Sequence, residues 1–152
     1  MNNKTILLSL WLYSSLNNVQ ADSESDVYWM TRTIYGEARY TSSKIKKAVA
    51  ATVRNRVYSR SFPSSIEDVV NQRSQFIGVN TEPQSRSDYL EWNKCKNLAK
   101  EVLNTDYKKD GFSERMLYFH DSSINPPFWT RNLKEYKRYY INKSKYMVFY
   151  IK

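Results

Sequence analysis

A single cysteine, Cys95, and a single histidine, His120, stand in a chain of 152 residues. One cysteine excludes an intramolecular disulfide, and the two residues together are too few for a zinc set, so no metal site is expected. A Ser-His-Asp arrangement would have to run through His120, and the nucleophile-elbow pattern that exposes such a serine is missing. No cofactor is expected either. Three glycines and four prolines leave no low-complexity linker, and no segment repeats. With 41% hydrophobic and 15% aromatic residues, the composition suits a packed core and excludes a disordered tail. Chains of this size commonly hold one core, so a single domain is the expectation.

Long apolar runs are scarce, and the one that matters opens the chain. Met1-Asn2-Asn3-Lys4 carries one positive charge, residues 5–16 (TILLSLWLYSSL) are largely apolar, and Val19-Gln20-Ala21 sets small or short residues where a signal peptidase cuts. Residues 1–21 therefore read as a secretory signal and residues 22–152 as the mature domain, secreted or periplasmic. The run is shorter than the about 20 apolar residues of a spanning helix and is broken by serines, so no integral membrane segment is expected once the signal is removed. An uncleaved anchor is the minority alternative. Loss of residues 1–21 removes one lysine and takes the formal charge from +9 to +8. A field of that sign favours encounters with polyanions without naming one. For an exported protein these are anionic cell-wall polymers and membrane surfaces before nucleic acid, for which no recognition motif is present.

Helical periodicity dominates the first two thirds. Residues 26–38 place Val27, Met30, Ile34 and Ala38 on one face, with Ser25 or Asp26 as N-cap. Residues 42–58 place Ile45, Ala48, Val49, Thr52, Val53 and Val57 together, with lysines and arginines largely outside that face. Phe62-Pro63 ends this helix. Ser64-Ser65-Ile66-Glu67 then has the spacing of a capping box and opens a short helix through about Asn71. Residues 72–87 read as irregular. A further helix spans 88–103, its stripe running from Tyr89 and Trp92 through Cys95 to Val102 and Leu103. Beyond it, 115–120 (RMLYFH) and 145–151 (KYMVFYI) read as strands. The basic and tyrosine-rich tail from Arg131 reads as a solvated face that can also rest on anionic wall polymers. The fold class is α+β, mostly helical, with a small β-sheet near the C-terminus.

Glu37 is the residue that raises a chemical question. It follows Gly36 at the boundary between an apolar helix face and solvent, where partial desolvation raises a carboxyl pKa. A carboxyl still protonated near neutral pH is what a general acid requires. From spacing alone, pairing with Arg32 or Arg39 is the simpler reading. His120 reads first as a hydrogen-bonded histidine at a strand end, with a substrate contact as the alternative. Tyr28, Trp29, Tyr35, Tyr118, Phe128 and Trp129 offer flat faces for sugar rings; Trp29 and Phe128 fit the core better, and Trp129 is the better cleft residue.

The ordered set "TRTIYGEAR", "KAVAATVRNRVYS", "FP", "QF" and "LYFH…PPFW", spread from about residue 28 to 131, resembles the catalytic domain of the SleB-type cell wall hydrolases, the spore cortex-lytic enzyme family. The resemblance implies a lysozyme-like or lytic-transglycosylase-like fold that cuts peptidoglycan glycan strands between N-acetylmuramic acid and N-acetylglucosamine. It puts Glu37 at the position of the catalytic glutamate. It puts Asn55-Arg56 on the family's "NR", Gln75-Phe76 on its "QF", Tyr118 and His120 on the aromatic strand, and Trp129 on the "P-x-W" turn. Asn55, Gln75, Phe76, Tyr118, His120 and Trp129 are accordingly the candidate substrate contacts.

Two positions depart from that pattern. Tyr40-Thr41 replace the family's Gly-Glu after "EAR", so a second nearby carboxylate is missing, and Met147 replaces a histidine. Glycoside hydrolysis ordinarily uses two carboxylates. A lytic transglycosylase needs one, because the muramyl 6-hydroxyl of the substrate supplies the nucleophile. The alternative is a non-catalytic wall-binding protein that keeps the cleft.

Overall fold

The computed structural model describes residues 23–152. The expected signal segment, 1–21, lies outside the described residues. Among the described residues four α-helices come first: α1 (Glu24–Ala38), α2 (Ser43–Tyr58), the short α3 (Ile66–Val70) and α4 (Arg86–Asn104). Three strands follow, β1 (Met116–Asp121), β2 (Lys134–Tyr140) and β3 (Tyr146–Ile151). Short 3₁₀ turns at Ile77–Asn80, Tyr107–Asp110 and Phe128–Asn132 join them. The architecture is the mostly helical α+β class read from the sequence. No helix among the described residues is long and apolar enough to cross a membrane.

Serines start all four helices, each accepting one of the backbone N–H groups that a helix N-terminus leaves unpaired. Ser23 caps α1 through Asp26 N (3.0 Å), two or three residues earlier than the expected Ser25 or Asp26. Ser42 caps α2. On α3 the cap is Ser65, accepting from Asp68 N, so the capping pair sits one residue later than the expected Ser64 and Glu67. Ser85 and Asp88 form a reciprocal capping box on α4, which therefore begins at Arg86.

The core gathers Met30, Ile34 and Tyr35 of α1, Ile45, Val49 and Val53 of α2, and Cys95, Ala99 and Val102 of α4, all fully or almost fully buried. Burying each larger aliphatic or aromatic side chain contributes roughly 1.5–3 kcal/mol. Tyr35 belongs to this core, edge-on to Trp92 at 5.4 Å, and offers no face to a ligand. Tyr89 departs from its expected stripe and is exposed.

The sheet has the order β1-β3-β2, antiparallel throughout. Central β3 buries Met147, Val148, Phe149 and Tyr150, and Phe119 opposite Phe149 carries the apolar layer onto β1. Strand β2 was not expected. Its sequence, KEYKRYY, lacks clean alternation because a bulge between Glu135 and Lys137 shifts the phase partway along, and it is an edge strand. Charged side chains on an exposed edge discourage pairing with other chains, which explains why this strand reads as a solvated basic tail.

Candidate active site

Glu37 lies in the last turn of α1, half-buried. The turn that faces it is Ile77–Asn80, drawn against α1 by a backbone-to-backbone approach at Gly36 and Gly78. A Cβ on Gly36 would stand 2.1 Å from the Gly78 carbonyl oxygen, so only glycine permits the approach. Arg32, one turn back on α1, fastens the same 3₁₀ turn: its Nε donates to the Val79 carbonyl at 2.8 Å, and its guanidinium pairs with Glu82 at 2.6 Å. With the turn so fixed, Gly78 N–H donates to Glu37 Oε1 at 2.9 Å. Among the described residues neither Arg32 nor Arg39 pairs with Glu37; Arg39 lies over the Tyr35 ring instead.

Burial raises the Glu37 carboxyl above its ordinary pKa, the Gly78 N–H partly opposes that rise, and the charge of Asp121 adds to it. Asp121 ends β1 and is the functional candidate that the sequence reading missed. Burial works against its ionisation, but the hydroxyl and backbone N–H of Ser123, with the charge of Lys145, outweigh that and hold its pKa below the ordinary value. Two carboxyls thus influence each other here, one biased toward its proton and one toward its charge. The available signal was the acid directly after "LYFH", which reads locally as the last residue of a strand.

The remaining candidates follow the sheet and α2. Tyr118 and Trp129 pack at 5.6 Å, Trp129 meets His120 and Tyr150 edge-on, and His120 stacks on Tyr150. Tyr118 and Trp129 are half-buried, which leaves part of each ring to solvent. In the neutral His120 ring, Nδ1–H donates to the Asp121 carbonyl (2.9 Å) and Nε2 accepts from the Tyr150 hydroxyl (3.0 Å). Both nitrogens are engaged, which favours the strand-end reading of this histidine. Gln75 is exposed and accepts from buried Arg56 at 3.0 Å.

Three expected roles change. Asn55 is 3% exposed; its amide N–H₂ donates to Ser113 O (2.9 Å) and Met116 O (2.8 Å), and its oxygen accepts from the Tyr107 hydroxyl. Every polar atom of its side chain is used internally, so Asn55 anchors the chain at the start of β1 to α2. Phe76 is buried against Phe119 and under Arg56, a packing role. Phe128 is 80% exposed, not a core residue, because the two prolines before it lift the β1–β2 connection off the sheet.

The Thr41 hydroxyl, at the position where the resemblance implies a carboxylate, donates to Ala38 O at 2.7 Å and closes the C-terminus of α1. Met147 is buried in β3 opposite Asp121. A groove of about 1230 Å³, bordered by Arg54, Tyr58, Lys108 and Arg115, lies away from Glu37. Of its acids, Asp106 and Glu114 serve Lys108, one at its backbone N–H and one at its ammonium, and Asp26 lies in the first turn of α1. Among the described residues no three His, Cys, Asp or Glu side chains gather to hold a metal ion.

The profile of the Cell Wall Hydrolase family matches residues 41–150. The spore cortex-lytic enzyme of Oceanobacillus iheyensis is 30% identical over 119 residues, covering 77% of this chain and 41% of that protein. The spore cortex-lytic enzyme of Bacillus cereus is 31% identical over 110 residues, covering 72% and 40%. The chain spans about two fifths of the length of the curated relatives it matches. The catalytic domain of the Bacillus cereus SleB protein has the same fold, with a TM-score of 0.60 at 21% identity over 88% of this chain and 94% of that one. So does the catalytic domain of the germination-specific lytic transglycosylase SleB from Bacillus anthracis, with a TM-score of 0.57 at 23% identity over 88% and 98%. On the span of the profile and the identity of the relatives, the chain belongs to the cell wall hydrolase family.

Proposed function

We propose that this protein cleaves the glycan strand of peptidoglycan between N-acetylmuramic acid and N-acetylglucosamine, as a lytic transglycosylase with Glu37 as general acid and then general base. The observation that carries the reading is a half-buried carboxyl that no cation among the described residues neutralises, held by one backbone N–H and kept toward its protonated form by burial. Glu37 gives its proton to the glycosidic oxygen as the C1–O bond breaks, and positive charge develops at C1 of the muramyl ring. The resulting carboxylate takes the proton of the 6-hydroxyl, whose oxygen bonds to C1 and leaves a 1,6-anhydro end. No water is consumed. The proposal agrees with the lytic transglycosylase named among the structural neighbours.

The charged state of Asp121 supports a second reading, hydrolysis, in which this carboxylate orients a water toward C1. Mass spectrometry of the soluble muropeptides separates the two, because hydrolysis adds one water and transglycosylation adds none. Glu37→Gln is expected to cut release at least about a hundredfold. Retained release by that variant removes both mechanisms, and binding to insoluble peptidoglycan without release by the wild-type protein favours a non-catalytic wall-binding role. The formal charge, +8 without residues 1–21, further supports contact with anionic wall polymers.

A further inference from the structure

The tip of the β2–β3 hairpin stands beside the candidate acid site. Asp121, whose charge acts on Glu37, lies opposite Met147. The residue after it is bonded to the hairpin in both directions: Ser122 N–H donates to the Tyr146 carbonyl at 2.9 Å, and Tyr146 N–H donates to the Ser122 hydroxyl at 3.0 Å. Residues 141–145 form the tip itself. Ile141 N–H and Asn142 N–H both donate to the Lys145 carbonyl, at 2.7 and 3.2 Å, and the Asn142 side-chain oxygen accepts from Ser144 N–H (3.0 Å) and Lys145 N–H (2.8 Å). A loop closed in this way is ordered before it meets a ligand, so binding costs it little conformational entropy.

Two cations ride on this tip. Lys143 and Lys145 are exposed, and among the described residues neither forms an ion pair. Arg138, by contrast, is occupied: it gives two nitrogens to Glu135, at 3.1 and 2.8 Å, and lies over the Tyr146 ring at 4.5 Å. The Lys145 charge reaches Asp121 and helps to keep it ionised, so the positive field of the tip extends to the edge of the acid site. That location selects the anion. A separate polymer of phosphates can rest on any basic face, whereas an anion met beside the scissile bond is one carried by the sugar being cut. On a muramyl residue the lactyl group at O3 bears a peptide stem, and the carboxylates of that stem hang next to the glycan.

We infer that Lys143 and Lys145 bind the free carboxylates of the peptide stem on the muramyl residue next to the bond being cut. The inference rests on the glycan-cleaving reading and names the strand that is favoured, one that carries charged stems over one whose stems are neutral. Each contact is an exposed ion pair, weak singly and weakened further by salt. Its effect therefore falls on substrate binding and not on proton transfer.

The test uses glycan strands freed of phosphate polymers, their stem amines acetylated, before and after carbodiimide coupling to ammonia, which turns the stem carboxylates into neutral amides. Lys143→Gln/Lys145→Gln is compared with Lys96→Gln/Lys100→Gln, which removes the same charge from exposed positions on α4. The lysine side chains replaced at the tip make none of the bonds that close it, so its shape is kept. The hairpin variant is expected to lose about three- to tenfold in kcat/KM on the charged strands, through KM, and little on the amidated ones, the scale of two exposed ion pairs. The α4 variant is expected to change little on either. Any influence of Lys145 on Asp121 appears on both strands alike and cancels in their ratio. Equal losses on charged and amidated strands, no loss on either, or matching losses from the two variants overturn the stem contact while leaving the activity standing. A loss seen only on whole walls that retain phosphate polymers overturns it too, and assigns the tip to those polymers. Absence of release from every strand by the wild-type protein overturns the glycan-cleaving reading, and the stem contact with it.

Discussion

Gly36 and Gly78 touch backbone to backbone, and the contact sets the distance between the acid after one and the N–H of the other. Gly36→Ala would place a methyl 2.1 Å from the Gly78 oxygen and 2.3 Å from its carbonyl carbon, atoms that no rotamer change can move aside. Alanine is the better helix former, by up to about 1 kcal/mol. Overpacking of this kind costs roughly 1–3 kcal/mol, so a net loss of stability is expected. Activity should fall further than stability explains, because α1 and the 77–80 turn must separate. Thermal melts and muropeptide release on the same preparation check this; wild-type values in both would show that the approach is not needed.

Glu37→Gln should be more stable than the wild-type protein at alkaline pH. The folded state holds the Glu37 proton above the pH at which an unfolded chain releases it. Below the unfolded value, about 4.3, both states are protonated and the wild-type protein carries no penalty. As pH rises from there, the unfolded state ionises first, and the penalty grows until folded Glu37 has ionised too. Glutamine keeps an oxygen for Gly78 N–H and never ionises. Chemical denaturation of both proteins from pH 4 to 9 should therefore show a gap that opens with pH, and a constant gap would contradict the raised pKa.

The helices were legible because their information is local: apolar spacing places Ile45, Val49 and Val53 on one face, and serines announce the starts within one or two residues. Strand β2 was not, since its partner β3 decides which of its mixed tyrosines and lysines face inward. The acid was legible as a lone glutamate after a glycine. Its surroundings were not, because the N–H it accepts comes from 41 residues away. Asn55 shows the converse. Its motif position drew attention, and only the three-dimensional partners Ser113, Met116 and Tyr107 reveal that it is consumed internally.

Asp121→Asn tests whether the two carboxyls are coupled. The negative charge of Asp121 opposes ionisation of Glu37, so its removal lowers the Glu37 pKa. A general acid works only while protonated. The alkaline limb of kcat/KM against pH should accordingly move to lower pH in the variant, with the acidic limb less affected if hydrolytic water is not its task. Asparagine can still accept from the backbone N–H of Ser123, which donates to Asp121 at 2.7 Å, and this limits structural damage. An unmoved alkaline limb would uncouple the pair.

Lys46 and Glu91 form an ion pair whose side chains are only 5% and 6% exposed, and it binds the turn that follows Glu37. The Lys46 ammonium also donates to Thr41 O at 2.8 Å, while Glu91 accepts from Tyr40 N at 3.2 Å, so one pair fastens both sides of a turn to α4. Tyr40 needs that support, because its φ of 61° is one that non-glycine residues seldom adopt. Losing Glu91 strands the buried Lys46 ammonium, and losing Lys46 leaves buried Glu91 with only the exposed Lys94 ammonium, at 3.4 Å. Lys46→Met or Glu91→Leu alone should each cost about 3–5 kcal/mol, whereas an apolar pair of similar volume often costs little, so the double variant should recover much of the loss. Recovery cannot extend to the turn, whose hydrogen bonds to Lys46 and Glu91 are gone in the double variant. Stability restored with release still depressed is therefore the expected result of the double-mutant cycle. Strictly additive losses would instead mean that the two charges do not compensate each other, and full recovery of release would mean that the turn holds its shape without them.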